Sequence, residues 1–303
     1  MEIRPIRDKS DVESIVGIIN AVYADDPITD HEFVSWGEQA RERIDLVAER
    51  GGTIVGAARG YFESHRPNPW VHIWIPASER RRGVGSALFT EASGWARSSG
   101  HTAFEAWARE DAADSIAFAT SLGFDEVGRE RGLTLDLTRI EAPAVGVPAG
   151  IELVTWAERP ELEHGLFEVY ADSVRDVPGE EDAEVESFDE WLRNEMQSAG
   201  DRADGTFVAL AGDEVVGYAK FHFSAAQPTR VHHDLTGVKR AWRGRGIATA
   251  LKAMQIRWAK ENGYEELRTS NEERNAPIRK LNKRFGYQPA VGRIYLRGPL
   301  AET

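Results

Sequence analysis

Two short segments rich in glycine and arginine carry the clearest chemical signal in the sequence. Each follows a short apolar run that predicts a strand and precedes a run that predicts a helix. Glycines let backbone N–H groups at a helix N-terminus approach a ligand, and that end of a helix carries partial positive charge. The segments therefore predict a site for a phosphate or pyrophosphate group. The candidate binding residues are Arg80, Arg82, Gly83 and Gly85 in the first segment, and Arg243, Gly244, Arg245, Gly246, Ile247, Ala248 and Thr249 in the second.

Two better-known phosphate-binding turns do not fit these segments. A Walker loop needs Gly-x-x-x-x-Gly-Lys-Ser/Thr, and no such run occurs in the chain. A dinucleotide-binding turn needs a third glycine where the second segment has Thr249, together with a parallel β-α-β unit that the pattern lacks. The pattern that remains is Arg-x-x-Gly-x-Gly/Ala.

A polar run on a predicted strand supplies candidates for proton transfer. His232 and Asp234 lie six and four residues before Val238 in Val-His-His-Asp-Leu-Thr-Gly-Val. Unbroken alternation would place both side chains on the face that carries Val238, and the ordinary pKa of histidine suits a proton acceptor near neutral pH. His232 and Asp234 are the candidate catalytic residues, with a solvated strand end as the alternative. Adjacent residues point to opposite faces, so we expect no metal site here.

The sequence repeats itself at an offset of 163 residues. Positions 80–124 and 243–287 are identical at eleven places, one of which pairs Trp95 with Trp258. Further upstream, 47–56 and 208–217 share a hairpin pattern at an offset of 161. The repeat predicts two domains with the same order of elements.

The order of elements predicts the fold class. Each half reads as a strand, one or two helices, a hairpin, a strand, the glycine-rich turn with its helix, and then a strand, a helix and closing strands. This mixture predicts an α+β protein of two tandem domains, each with a mixed, mainly antiparallel sheet flanked by helices. The Pro- and Gly-rich segment 140–150 predicts a linker. The predicted domains are 1–140 and 150–303.

The motif Arg-x-x-Gly-x-Gly/Ala, present twice after a strand, resembles the pyrophosphate loop of the GNAT superfamily of N-acetyltransferases. The resemblance implies acetyl-coenzyme A as a co-substrate, held at a V-shaped split between the fourth and fifth strands. It implies that the Val238 backbone pairs with the pantetheine arm and offers its N–H to the developing oxyanion. Asn275 and Asn282 match family positions whose side chains reach the cofactor, although a helix cap or turn also suits asparagine.

The two halves differ in their polar side chains. The offset of 163 pairs three asparagines with alanines: Asn271 with Ala108, Asn275 with Ala112, and Asn282 with Ala119. Three polar contacts are therefore absent from the first half. Many relatives carry, at the position of Asn282 and Ala119, a tyrosine that protonates the leaving thiolate, and neither residue can do so. We expect the first domain to be degenerate and the second to be catalytic.

The amino-acid composition limits the kinds of ligand and partner that the protein can have. The absence of Cys excludes disulfides, thiolate metal sites and Cys nucleophiles. The net charge of −13 argues against nucleic-acid binding and fits a cationic substrate. Nine acidic residues in 172–190 would border the acceptor pocket, with a solvated face as the alternative. No apolar run suits a signal peptide or a membrane span. We expect a cytoplasmic protein without membrane partners, a monomer that forms an internal pseudo-dimer.

The predicted function is transfer of an acetyl group from acetyl-coenzyme A to an amine of a small, cationic molecule. One alternative is a protein lysine or N-terminal acetyltransferase, which would use the same cofactor residues with a broader cleft. The other is a non-catalytic protein that binds coenzyme A or another ligand, which the missing tyrosine favours and the intact second loop disfavours.

Overall fold

The computed structural model describes residues 1–63, 66–176 and 185–302, and it divides into two compact units. Unit 1 comprises Met1–Arg129 and Arg293–Thr303, and unit 2 comprises Glu130–Gly292. The predicted fold class, two tandem α+β domains, is confirmed.

The first half of the chain forms six strands and four helices in the described residues. In chain order they are β1 Glu2–Pro5, α1 Lys9–Val22, α2 Asp30–Gln39, β2 Glu42–Arg50, β3 Thr53–Phe62, β4 Trp70–Trp74, α3 Val84–Ser98, β5 Ala103–Arg109, α4 Ala113–Ser121 and β6 Asp125–Asp136.

The second half repeats this order. Its elements are β7 Glu152–Thr155, α5 Glu163–Ser173, α6 Phe188–Trp191 followed by a π-helical turn Leu192–Met196, β8 Thr206–Ala211, β9 Glu214–Phe223, β10 Arg230–Val238, α7 Ile247–Glu261, β11 Glu266–Glu272, α8 Ala276–Arg284 and β12 Gln288–Pro299.

The two units have the same sheet topology but exchange their sixth strands. Unit 1 has the order β1-β2-β3-β4-β5-β12, in which residues 293–299 of β12 pair with β5. Unit 2 has the order β7-β8-β9-β10-β11-β6, in which residues 130–136 of β6 pair with β11. Among the described strands, only the fourth and fifth of each unit pair in parallel. The predicted domains, 1–140 and 150–303, are continuous in sequence, whereas in the compact units most of β6 belongs to unit 2 and most of β12 to unit 1. These two strands are equivalent, since they are related by the same offset of 163 residues.

Local sequence explains where the functional helices begin. Both α3 and α7 start at a glycine with positive φ, Gly83 at 77° and Gly246 at 87°, and neither N-cap makes a side-chain hydrogen bond. By contrast, α2 begins at Thr29 with a complete capping box to Glu32. The first turns of α3 and α7 therefore keep backbone N–H groups that no capping side chain satisfies.

Each sheet is covered on both faces. In unit 2 one face packs against α5 and α6 through residues such as Val208 and Tyr218, and we call it the α5 face. The other packs against α7 through Phe221 and Val238, and we call it the α7 face. In unit 1, α1 and α2 cover one face and α3 covers the other.

The strand exchange makes a testable prediction about which unit a core residue supports. Leu296 lies buried in the core of unit 1, so Leu296→Ala should destabilise that unit by about 2–5 kcal/mol through lost burial and a cavity. Hydrogen exchange should accelerate in β4 and β5 and stay unchanged in β10. The matched variant Leu135→Ala, in the core of unit 2, should give the opposite pattern. Faster exchange of β10 in Leu296→Ala would contradict the exchange of strands.

Candidate active site

The turn before α7 has the geometry of an anion-binding loop. Gly244 and Gly246 both adopt positive φ, 75° and 87°, a conformation that favours glycine. The first backbone bond back within the helix runs from Ala250 N to Gly246 O, so the N–H groups of Ile247, Ala248 and Thr249 have no helical acceptor. These groups and the helix dipole suit a phosphate.

The arginines of this turn are partly engaged by the protein. Arg243 donates from Nε to the carbonyl of Val238 at 2.9 Å and forms an ion pair with Asp176 at 2.6 Å. Hydrogen bonds from Arg240 and Arg243 lower the pKa of Asp176 to about 2. Arg245 donates to the carbonyl of Ala241 at 3.1 Å. Through its hydrogen bond to Val238, Arg243 thus links the turn to the end of β10.

Unit 1 builds the same turn from different residues. Arg80 donates from Nε to the carbonyl of Ile75 at 3.3 Å, matching the Arg243 bond, and Arg82 pairs with Glu79 at 3.3 Å. Arg81, at the position of Gly244, takes a φ of 60°, the one positive φ of a non-glycine residue in the described chain. A Cβ at Gly85 would lie 3.1 Å from the ring of Phe118, so packing as well as ligand approach favours glycine there.

Both units contain the split between parallel strands that the family resemblance implies. In unit 2, β10 pairs with β11 over three residues, from Arg230 with Glu266 to His232 with Arg268, although both strands continue. In unit 1, β4 pairs with β5 at a single position, Trp70 with Glu105.

A β-bulge interrupts β10 beside the split. His233 and Thr236 pair with residues of β9 that are two apart, so Asp234 and Leu235 together face the single residue Lys220. In unit 1, β4 pairs with β3 in unbroken register over all five of its residues. The bulge therefore distinguishes the two units.

The bulge overturns the expectation that His232, Asp234 and Val238 share a face. Val238 packs in the core of the α7 face, whereas Leu235, next to Asp234, packs against the core of the α5 face. Because a bulge inserts one residue, it reverses the alternation beyond it. His232 and Asp234 thus lie on the α5 face, opposite the side chain of Val238.

Lys220 fixes the bulge, and the sequence pattern gave it no role. Its buried ammonium contacts Asp234 at 2.8 Å and Asp201 at 2.9 Å, and it donates to the backbone carbonyl of Glu195. A lysine within the otherwise apolar run of β9 was the signal that could have found it.

The ion pair sets the charge of Asp234. Desolvation raises the pKa of that carboxyl, but the Lys220 ammonium outweighs it and holds the pKa below its usual value. The stabilisation that this ion pair gives to unit 2 is therefore present above the usual carboxyl pKa. It is lost as the pH falls through the lowered pKa of Asp234.

Unit 1 has a buried cation at the corresponding position, offset by 161 residues. Arg59 bonds to Asp45 at 2.6 Å and donates to the carbonyl of Phe33 at 2.8 Å. In each unit, then, a cationic side chain on the third strand donates a hydrogen bond to a backbone carbonyl of the helical segment that packs on that face of the sheet. Only in unit 2 does a carboxylate partner of this cation lie in a described bulge of the fourth strand.

The two adjacent histidines of β10 have different surroundings. His232 contacts the side-chain oxygen of Gln227 at 3.1 Å. His233 is buried on the α7 face, contacts Gln255 Oε1 at 3.1 Å and bonds to the hydroxyl of Tyr287. Burial holds the pKa of His233 well below its usual value, so this ring is neutral.

The three asparagines of unit 2 follow the segment in which β11 pairs with β10. Asn271 lies near the end of β11, and Asn275 and Asn282 belong to α8 and its cap. Asn275 caps α8, accepting a hydrogen bond from Ile278 N at 3.5 Å. Asn282 is fully buried and donates to Asn271 Oδ1 at 2.6 Å, while its own Oδ1 has no partner among the described residues. In unit 1 the alanine before α4, Ala112, makes no side-chain cap.

The strand β4 of unit 1 presents aromatic side chains. His72 stacks with Trp70 and Trp74, with ring centroids 6.2 and 5.8 Å apart, and meets Trp107 of β5 at 5.7 Å. Burial, with the charges of nearby arginines, lowers the pKa of His72 to about 3. The buried side chains of Trp70, Val71 and Trp74 give this strand mainly a packing role.

Three observations concern other kinds of site. In 1–63, 66–176 and 185–302, no three His, Asp or Glu residues are grouped as metal ligands would be. No helix in these ranges is long and apolar enough to cross a membrane. Four residues of the predicted acidic segment lie outside the described part of the chain: Glu180, Glu181, Asp182 and Glu184.

Comparisons with known proteins show the family and the fold of the chain. The model of the acetyltransferase (GNAT) family matches residues 13–124 and 164–287. A tandem GNAT protein from the clavulanic acid biosynthesis pathway is similar over 100% of this chain and 99% of its own, with a TM-score of 0.80 and 22% identity. A GCN5-related N-acetyltransferase from Sphaerobacter thermophilus is similar over 99% and 96%, with a TM-score of 0.75 and 19% identity. No curated protein matches the sequence significantly.

The ion pairs of Lys220 predict a large effect of removing its charge. Lys220→Met leaves the buried carboxylate of Asp201 uncompensated, so unit 2 should lose about 3–5 kcal/mol of stability. Faster hydrogen exchange of β9 and β10 amides would measure the loss. Lys220→Arg keeps the charge, as Arg59 does in unit 1, and should lose less. Equal protection in Lys220→Met and the wild type would contradict a structural role for the pair.

Proposed function

Because the chain belongs to the GNAT family of acetyltransferases, we propose that it transfers an acetyl group from acetyl-coenzyme A to the amine of a small, cationic molecule, and that unit 2 performs the transfer. The observation that carries the assignment to unit 2 is the bulge of β10 beside the strand split, which β4 of unit 1 lacks.

The residues of unit 2 fit the proposed donor. The N–H groups of Ile247, Ala248 and Thr249 suit a pyrophosphate. The unpartnered Oδ1 of Asn282 is a buried acceptor that an amide N–H of a pantetheine arm would satisfy. Acetyl-coenzyme A supplies an activated thioester carbonyl.

The backbone of β10 offers a donor for the charge that develops on that carbonyl. Lys239 N bonds to Val216 O on the β9 side. Successive N–H groups of a strand point to opposite edges, so the N–H of Val238 faces the split. A fixed donor there would stabilise an oxyanion without reorganisation.

The charges on the α5 face support a cationic acceptor. Two carboxylates, Asp201 and Asp234, surround the single ammonium of Lys220, and a third carboxyl, Glu195, interacts electrostatically with all three. The excess of negative charge would attract an ammonium group. Since its pKa is held low, Asp234 is a weak proton acceptor and serves better to bind the cation.

In this proposal unit 1 has a supporting role. It keeps the turn, with Gly83 at a φ of 77°, so it can still admit a pyrophosphate. It has neither the bulge nor the asparagines, and Ala108, Ala112 and Ala119 offer no side-chain hydrogen bonds.

Matched substitutions in the two turns test the assignment. Gly246→Asp would put a negative charge beside the pyrophosphate, so steady-state acetyl transfer to an amine panel should fall at least about a hundredfold, or about 2.7 kcal/mol of barrier. Gly83→Asp should change the rate little. Both glycines have positive φ, so both variants carry the same backbone strain.

Calorimetric titration with coenzyme A provides the control. Gly246→Asp should lose a binding site that Gly83→Asp retains. Loss of activity in Gly83→Asp, with Gly246→Asp still active, would move the active site to unit 1.

A further inference from the structure

We propose that the carboxylate of Glu195 removes the proton from the acceptor's ammonium group at the bulge of β10, an inference that rests on the proposed acetyl transfer in unit 2. Neither the family motif nor the repeat points to this residue.

The backbone around Glu195 is unusual and firmly held. Leu192–Met196 forms a single π-helical turn directly after α6, a feature that occurs often at functional sites. Trp191, directly before the turn, and Met196, its last residue, are buried in the core of the α5 face. The capping box of Ser187 and Glu190 fixes the start of α6. The turn is therefore positioned by packing at both ends.

A hydrogen bond ties this turn to the bulge. The ammonium of Lys220 donates to the backbone carbonyl of Glu195 and also contacts Asp234 within the bulge. Glu195 thus stands on the α5 face, where the bulge has also brought His232 and Asp234. An amine that approaches the split from this face would meet Glu195.

The carboxyl of Glu195 is available for a proton. The ammonium of Lys220 is shared between the carboxylates of Asp201 and Asp234. Neither oxygen of the Glu195 carboxyl is paired with a donor in the part of the chain that the structure describes. The charged groups that act on it from the surrounding elements are Lys220, Asp234, Glu186 and Asp201.

The pKa of Glu195 suits the task. Burial raises the pKa of this carboxyl to about 7, with Lys220 opposing the rise and Asp234, Glu186 and Asp201 adding to it. A proton acceptor works best with a pKa near the working pH. By contrast, Lys220 keeps the pKa of Asp234 low.

The proposed step balances as follows. The ammonium gives one proton to the Glu195 carboxylate and becomes a neutral amine. The nitrogen lone pair forms the new N–C bond to the thioester carbon, and the carbonyl electron pair moves to oxygen. The nitrogen then loses its second proton to solvent, the C–S bond breaks with its electron pair moving to sulfur as the carbonyl re-forms, and the thiolate takes a proton from solvent. Glu195 returns its proton to solvent before the next turnover.

The pH dependence of kcat/KM tests the proposal. In the wild type, kcat/KM should rise with pH through about 7, since the base must be deprotonated. Glu195→Gln should lower kcat/KM at least about a hundredfold and abolish this rise, while coenzyme A binds as in the wild type. Glu195→Asp should recover part of the rate. Glu186→Gln removes a charge that raises the pKa of Glu195, so it should move the rise to lower pH.

The outcomes separate this inference from the proposed function. Wild-type turnover with an unchanged rate and pH profile in Glu195→Gln would overturn the role of Glu195 and leave acetyl transfer in place. Failure of the wild type to acetylate any amine would overturn both. A lower rate in Glu195→Gln that keeps the rise near pH 7 would assign the titrating base to another residue.

Discussion

The structure of unit 2 depends on one buried ammonium group. Lys220 lies on β9 and holds three elements together: the loop at Asp201, the bulge at Asp234 and the π turn at Glu195. A buried charge is costly unless it is paired and hydrogen-bonded, so these partners are constrained to stay close to it. The contact of Lys220 with Asp234 lies where β10 leaves its regular register. Arg59 has the corresponding place in unit 1 but leaves β4 regular.

Duplication produced two units that keep the same scaffold and differ in their polar groups. Both retain a left-handed glycine before the helix, the arginine bond to the strand end, and a split between parallel strands. In unit 1, His72 of β4 and Trp107 of β5 meet edge to face. Each sheet also depends on a strand from the other half of the sequence, so neither half of the chain contains all the strands of its unit. This exchange gives a structural reason for both halves of the chain to be kept.

The sequence predicted features that are local and repeated. The turns at Gly83 and Gly246, the tandem α+β fold and the family resemblance all depend on short motifs at a fixed offset. The bulge, the role of Lys220 and the position of Glu195 were not predictable, because each depends on side chains distant in sequence that meet across strands. Simple alternation therefore placed His232 and Asp234 on the wrong face relative to Val238. The exchange of β6 and β12 was also missed, since equivalent strands are interchangeable by pattern.

We propose that acetyl transfer takes place at the bulge of unit 2. A crystal structure with acetyl-coenzyme A and a slow amine analogue tests it most directly. We expect the pyrophosphate on the first turn of α7, and the thioester oxygen within about 3 Å of the backbone nitrogen of Val238. The amine should lie on the α5 face, beside Glu195 and Asp234. An acetyl group bound only at the split of unit 1, near Ile75, would contradict it.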